Sequence, residues 1–357
     1  MQKKYTILVP RADRTGPTNV AVDIGKIAIR NGWNVRLLFM NNSEIRDDLV
    51  DFSEVRRIRL SDFWLCSGVV HTHGLRPDLV GLLFKLFKRC FIVSTLHGNF
   101  PHHLKYDYSP FILWVAWAIW SSVLYKYDHR VCISESMRRY YHRQFPTLHF
   151  DLVYNFRLHI ETKTYEPDKL ANIWIAKQHA IGKVLLIYVG SLNQRKNILA
   201  LVKAVIKSEN ISLLVCGQGK MKDSLVREIV SSEGGSRVFL AGHVDNPDDY
   251  IKKSHALVLP SFSEGLPLVI IEACKFGVPS LLSNIAVHKE LARIGVGEIF
   301  DHHNFNDFEQ KVMTLYLNRS ELDDEFRRIL ADKYFGAQRC FEKYEEIFKN
   351  MFIESVK

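Results

Sequence analysis

Glu264 and Glu272 are the acidic residues whose setting invites chemistry. They lie within residues 254–279, where the apolar run His255 to Leu259 reads as a buried parallel strand and Ser261 to Gly265 as a polar loop. A helix then opens near Pro267 and is stopped by Gly277 and Pro279. A helix start presents unpaired N–H groups and the positive end of its dipole, which together attract phosphate. Glu264 precedes that start, and Glu272 lies about 7 Å along the helix. A diphosphate at the start would have one carboxylate on either side, the layout of a nucleotide sugar with its sugar, diphosphate and ribose. Glu272 sits among Leu268, Val269, Ile270, Ile271, Ala273 and Cys274, a helix apolar all round, which predicts a buried carboxylate in need of donors. Ribose hydroxyls would supply them, and so would a structural Arg or Lys; the residues alone leave both readings open.

A second strand, loop and helix runs from Val184–Val189 through Gly190–Asn197 to Leu199–Lys207. It places Arg195 and Lys196 at a helix start, where cations oppose the dipole and something negative must offset them. A diphosphate would do so, held by the planar fork of Arg and the point charge of Lys; the alternative is an exposed basic turn. His97 stands where the strand Phe91–Thr95 runs out, and ligands of open α/β sheets bind beyond such ends. His71 and His73 end another strand with H-x-H spacing, but no third ligand stands out, so they read as structural. Gly16, in the loop Asp13–Thr18 between a first strand Tyr5–Val9 and a helix Val20–Arg30, permits close backbone approach to phosphate, although Pro17 beside it has no N–H to donate; a plain turn is the competing reading. Gly217-Gln218-Gly219 and Gly242-His243-Val244 are turns beyond two further strands.

The spacing of Pro260, Ser261, Glu264, Gly265, Leu266, Pro267, Glu272 and Ala273 resembles the signature of the retaining glycosyltransferases of the GT-B fold, group 1 or family 4. The resemblance implies an α/β protein of two Rossmann-like parallel-sheet domains facing a central cleft. An acceptor-binding domain would occupy residues 1–165, a nucleotide-sugar domain 166–335, and a terminal helix, 336–357, would cross back to the first domain. It further implies that Glu264 contacts the donor sugar and Glu272 the ribose. The diphosphate would rest on backbone amides around Gly265, Leu266 and Pro267, with Lys196 matching the family's cation; Arg195 beside it, which the resemblance does not itself supply, would stand in for the Arg missing at Ser191. Gly16 would approach the donor, Val244 would lie near the base, and His97 would stand by the reacting sugar and the acceptor. The chain departs from the family pattern at Pro17, where many members carry a second glycine, and at Ser191, where many carry Arg. No cofactor and no metal are expected beyond the donor, a UDP- or GDP-sugar.

Bulk properties narrow the class. The 357 residues suffice for two domains, and the six cysteines are scattered without C-x-x-C spacing, which indicates neither a disulfide framework nor a zinc knuckle and fits a reducing cytoplasm. Residues 1–165 carry 23 Lys and Arg against 14 Asp and Glu, and the rest 25 against 25, so the whole excess of +9 lies in the first half. A basic half favours a polyanion, although a solvated face is the commoner reason for scattered charge. No nucleic-acid motif is visible, and no nucleic-acid partner is expected. The apolar run near the N-terminus is too short for a signal peptide. Phe111 to Tyr125 holds no charge but is shorter than the ~20 residues that span a bilayer. Its Trp114, Trp117 and Trp120 recur every third residue, which predicts packing against the sheet. The alternative is a surface that dips into the membrane interface, with Lys105, Lys126, Arg130, Arg138, Arg139 and Arg143 nearby.

The expectation is therefore a cytoplasmic enzyme, peripheral at the inner face of the plasma membrane. It would move a sugar from a nucleotide sugar to a glycan acceptor, polyprenyl-diphosphate-linked, in bacterial surface polysaccharide biosynthesis (O-antigen, capsule or exopolysaccharide). A soluble transferase acting on a small molecule and a non-catalytic GT-B scaffold are the competing readings.

Overall fold

A computed structural model describes residues 3–86, 90–102, 104–158, 168–244 and 246–354. The chain divides into two compact units. Unit 1 comprises Met1–Leu158, Gly265–Leu268 and Tyr334–Lys357, and unit 2 comprises His159–Glu264 and Val269–Lys333. The expected boundary at 165/166 lies outside the described residues.

Unit 1 runs β1 (Lys4–Val9), α1 (Gly16–Arg30), β2 (Asn34–Phe39), β3 (Glu54–Arg57), α2 (Asp62–Leu65), β4 (Gly68–His73), α3 (Leu75–Leu86), β5 (Cys90–Leu96), α4 (Pro110–Leu124), β6 (His129–Cys132), α5 (Glu135–Gln144) and β7 (Asp151–Leu152). Unit 2 continues with α6 (Lys169–Ala180), β8 (Val184–Val189), α7 (Ile198–Lys207), β9 (Ile211–Cys216), α8 (Lys222–Val230), β10 (Val238–Gly242), α9 (Asp248–Lys253), β11 (Ala256–Leu259), α10 (Leu268–Lys275), β12 (Ser280–Ser283), α11 (Ala286–Arg293), β13 (Gly297–Phe300), α12 (Phe308–Leu317) and α13 (Glu321–Phe335). The last helix, α14 (Ala337–Glu354), belongs to unit 1.

The strand order is β3-β2-β1-β4-β5-β6-β7 in one sheet and β10-β9-β8-β11-β12-β13 in the other. The strand pairs are parallel. These are two Rossmann-like sheets, as the alternation of apolar runs with amphipathic stretches predicts. Tyr5 to Val9 and Val184 to Tyr188 are buried on both faces, which is why they read as unbroken apolar runs. In unit 1, Phe341, Tyr344, Phe348 and Met351 of α14 fill a core shared with Tyr5, Ile7, Ile24, Ala28 and Trp33. All six cysteines are buried and free.

Three local expectations change. α1 begins at Gly16 rather than near Val20, because Pro17 falls in the first turn, where its fixed φ suits the helix and its missing N–H costs nothing. Residues 169–180, for which the sequence shows no periodic apolar stripe, form α6, capped by Asp168, whose carboxylate accepts the Leu170 N–H at 2.8 Å. That helix buries Ala171 and Ile175 but leaves Leu170 and Ile173 exposed, so its apolar residues show no clean stripe. The tryptophan series of α4 splits. Trp120 is buried and donates to Asp78 Oδ2 at 2.8 Å, Trp117 stacks on Phe100 with ring centroids 5.5 Å apart, and Trp114 faces outward. Two of the three thus pack into unit 1, against Asp78, Phe100, Tyr141 and Phe145.

Candidate active site

In unit 2 the strand order turns back between β8 and β11, which are neighbours in the sheet. Crevices beyond the carboxyl ends of strands at such a reversal are where open α/β sheets bind ligands. The two loops that leave these strands meet. The Phe262 N–H donates to the Arg195 carbonyl at 2.8 Å, tying one loop to the other. Arg195 Nη1 donates to the Ser263 carbonyl at 2.5 Å and to Glu264 Oε2 at 3.3 Å. Lys196 Nζ donates to Glu264 Oε1 at 2.5 Å. Lys196 is only 8% exposed, so this is no solvated basic turn.

Short-range chemistry sets the first loop. Asn193 Oδ1 accepts the Lys196 N–H at 3.1 Å and shapes a tight turn over residues 194–196. Asn197 follows with φ 54°, a left-handed conformation Asn tolerates better than most residues. Its side-chain amide donates to the His302 carbonyl at 3.0 Å. A Cβ on Gly217 would fall 1.8 Å from the Gly190 carbonyl oxygen, so the turns after β8 and β9 pack backbone against backbone.

Burial alone would raise the Glu264 carboxyl, but the charges of Lys196 and Arg195 overrule it and hold the group well below the usual carboxylate range. Two cations around one anion leave a local excess of positive charge. Glu264 therefore supplies part of the negative charge that the two cations require, and the cluster still favours an anionic ligand. Nearby in unit 2, His288 is fully buried, with Nδ1 2.8 Å from Ser283 Oγ, and burial lowers its pKa to about 4. Nothing local in the sequence marks His288.

The phosphate-approach segment opens α10. Pro267 directly precedes the helix, and Gly265 and Leu266 are buried. Glu272, one turn inside, is half-buried rather than enclosed. The residues around it do not surround the helix evenly: Leu268, Glu272, Lys275 and Phe276 follow an i, i+4, i+7, i+8 stripe that stays partly open. In unit 1, which takes in Gly265–Leu268, Asn155 Nδ2 donates to the Leu266 carbonyl at 3.0 Å, and a Cβ on Gly265 would fall 2.2 Å from the His97 carbonyl oxygen.

His97 follows β5 and is half-buried, with Nε2 3.0 Å from Nδ1 of the buried His73. His71 is held between the Tyr5 hydroxyl at 2.6 Å and Thr95 Oγ1 at 2.7 Å, the structural role expected of it. Among the described residues no group of three or more His, Cys, Asp or Glu could hold a metal ion. Gly16 is the exposed first residue of α1, with open space where a side chain would project, and Val244 is half-buried just beyond β10. Thus the structure brings Arg195, Lys196 and Glu264 into direct contact, with Gly265, Leu266 and Pro267 next in the chain. Gly16, His97 and Val244 sit beyond three other strands, β1, β5 and β10. The sequence reading missed Asn155, Asn193 and His288.

Residues 7–156 match the family described as Glycosyltransferase Family 4, and residues 174–331 match Glycosyl transferases group 1. The chain is similar to the O-antigen biosynthesis glycosyltransferase WclY of Escherichia coli, 25% identical over 98% of this chain and 99% of that protein. Over a shorter stretch, 28% of this chain and 29% of the relative, it is 31% identical to the Campylobacter jejuni GalNAc-alpha-(1->4)-GalNAc-alpha-(1->3)-diNAcBac-PP-undecaprenol alpha-1,4-N-acetyl-D-galactosaminyltransferase. Among solved structures, Anabaena Alr3699/HepE in complex with UDP shares the fold with a TM-score of 0.79 at 14% identity, covering 97% of this chain and 100% of that one. Sheets, family patterns and structural neighbours together define a GT-B glycosyltransferase. The chain carries the family 4 pattern over its first half and the group 1 pattern over its second.

Proposed function

We propose that the chain transfers a sugar, with retention of anomeric configuration, from a UDP- or GDP-sugar to a lipid-linked glycan acceptor in the building of a bacterial surface polysaccharide. The observation that carries this reading is the buried Lys196–Glu264–Arg195 cluster beyond β8 and β11. Transfer loads negative charge on the departing diphosphate. Preorganised cations and amides aimed at that charge stabilise it without reorganisation, so the reaction does not depend on a metal. Arg195, Lys196 and the amides of Gly265, Leu266 and Pro267's neighbour Leu268 act on the diphosphate in this scheme. Glu272 takes the ribose, Val244 lines the base, Gly16 approaches the donor, and Glu264 and His97 orient the sugar. The acceptor hydroxyl attacks on the face the diphosphate leaves, its proton passing to the departing oxygen.

The relatives support the substrate class: one is named for O-antigen biosynthesis and another for an undecaprenol-linked acceptor, while a structural neighbour was solved with UDP. Incubation with radiolabelled UDP- and GDP-sugars and an undecaprenyl-diphosphate-linked saccharide tests it. The expected result is transfer from one donor series, with an anomeric proton in the product that matches the donor's configuration. Inverted configuration, or label released only to water, contradicts it.

A further inference from the structure

α4 carries an outward face with no charge on it. Phe111 is 72% exposed, Ile112 51%, Trp114 67% and Ile119 52%. At 100° per residue these four, with the smaller Val115, Ala118 and Ser122, occupy one side of the helix. Leu113, Trp120, Val123 and Leu124 take the opposite side and are buried in unit 1. An outward patch of large apolar side chains of this kind marks an interaction surface.

The surroundings of the helix state the chemistry of its partner. Exposed Lys105 precedes it and exposed Lys126 follows it. Phe145, just after α5, packs against Trp117 and Tyr125, at ring centroids 5.4 Å and 6.0 Å, and α5 itself carries exposed Arg139 and Arg143. The acidic groups nearby are exposed Asp107, Asp128 paired with Lys85, and Glu135 paired with Arg138 and Arg139. Unit 1 as a whole holds 26 Lys and Arg against 17 Asp and Glu, the entire +9 of the chain.

A second copy of the chain is a poor fit, because a stable dimer buries about 20–30 residues a side and this stripe offers about a quarter of that. Spanning is also ruled out for α4: 15 residues make a helix of about 22 Å, shorter than the hydrocarbon core. Among the described residues no helix is long and apolar enough to cross a membrane. Aromatic side chains flanked by cations suit the boundary of an anionic bilayer, where rings sit at headgroup level and Lys and Arg meet lipid phosphate.

We propose that the Phe111, Ile112, Trp114 and Ile119 face of α4 is a docking surface for an anionic lipid bilayer, into whose interface it inserts without crossing. This deepens the proposed function by placing unit 1 at the membrane that holds the acceptor, and it is tested without catalysis.

Full-length protein is sedimented with phosphatidylglycerol–phosphatidylethanolamine vesicles and with phosphatidylcholine vesicles, at low and high salt. The expected result is binding to the anionic vesicles that weakens with salt, and a blue shift of tryptophan emission. The Phe111→Ser, Trp114→Ser double variant should lose about a hundredfold in partition, as expected for two aromatic side chains kept in water. Both residues are exposed, so its melting temperature should match the parent's. Failure of the parent chain to bind anionic vesicles overturns the proposal. So does equal binding by the double variant, or equal binding to neutral vesicles. Concentration-dependent dimerisation that the variant abolishes also overturns it, in favour of a second copy as occupant. Retained melting shifts with UDP or GDP in the double variant would separate failure at this surface from failure of the donor site.

Discussion

Lys196 Nζ lies 2.5 Å from Glu264 Oε1, although 68 positions separate the two residues in the chain. Each is the end of a different loop, and each would be costly to bury alone. Removing one partner of a buried pair leaves an uncompensated charge. Glu264→Gln leaves the Lys196 and Arg195 cations without their anion and should therefore destabilise the ligand-free protein by on the order of 3 kcal/mol in urea denaturation at neutral pH. The loss should change little between low and high salt, because buried pairs are weakly screened.

Stability should fall with acid earlier than carboxylates alone would dictate. Burial lowers His71 to about 3 and both His255 and His288 to about 4, and takes His73 well below its ordinary 6.5. A histidine held neutral in the folded state contributes stability that is present above the unfolded value. That contribution is lost as pH falls from 6.5 toward the folded value, since the unfolded chain binds the proton first. For His288, fully buried, the loss is about 2 kcal/mol by pH 5. Denaturation midpoints at pH 7.5 and pH 5 check this: the parent should drop, and His288→Asn should drop by less.

Gly265 has no room for a side chain. A Cβ would lie 2.2 Å from a backbone oxygen, that of His97, which cannot rotate away. Gly265→Ala should cost about 1–3 kcal/mol through overpacking. Thermal melting of the ligand-free variant measures it.

His73 donates to or accepts from His97 at 3.0 Å, and its other ring nitrogen is buried without a hydrogen-bond partner. If His97 orients the sugar, His73→Leu should lower kcat about tenfold while leaving KM for the donor within about twofold, the scale of one lost buried hydrogen bond. His73→Asn, which can keep a donor near the Nδ1 position, should restore part of the rate. Steady-state kinetics with whichever UDP- or GDP-sugar the transfer assay selects reads both.

The fold was legible because its signals are local. His255 to Leu259 is a short apolar run bounded by polar residues, and it forms β11 at Ala256–Leu259, with α10 opening directly after Pro267. What escaped is long-range. No spacing rule links Lys196 to Glu264, or Asn155 to Leu266 across 111 positions. The apolar residues next to Glu272 in sequence overstate its burial, because its own face of α10 also holds Lys275. The tryptophans of α4 recur every three residues, and that spacing carries them from the buried side at Trp120 to the open side at Trp114.

In the proposed scheme Arg195 and Lys196, set by Glu264, bind a nucleoside diphosphate. Melting temperature in the presence of UDP, GDP and their sugars tests it most directly, with Arg195→Ala as the variant, since it leaves the Lys196–Glu264 contact in place. One diphosphate series should stabilise the parent, by about 2.7 kcal/mol at ~100 times its Kd, and the gain should shrink in Arg195→Ala and in Glu272→Ala. If none of these ligands raises the melting temperature, or the variants respond as the parent does, the donor site is not where this account puts it.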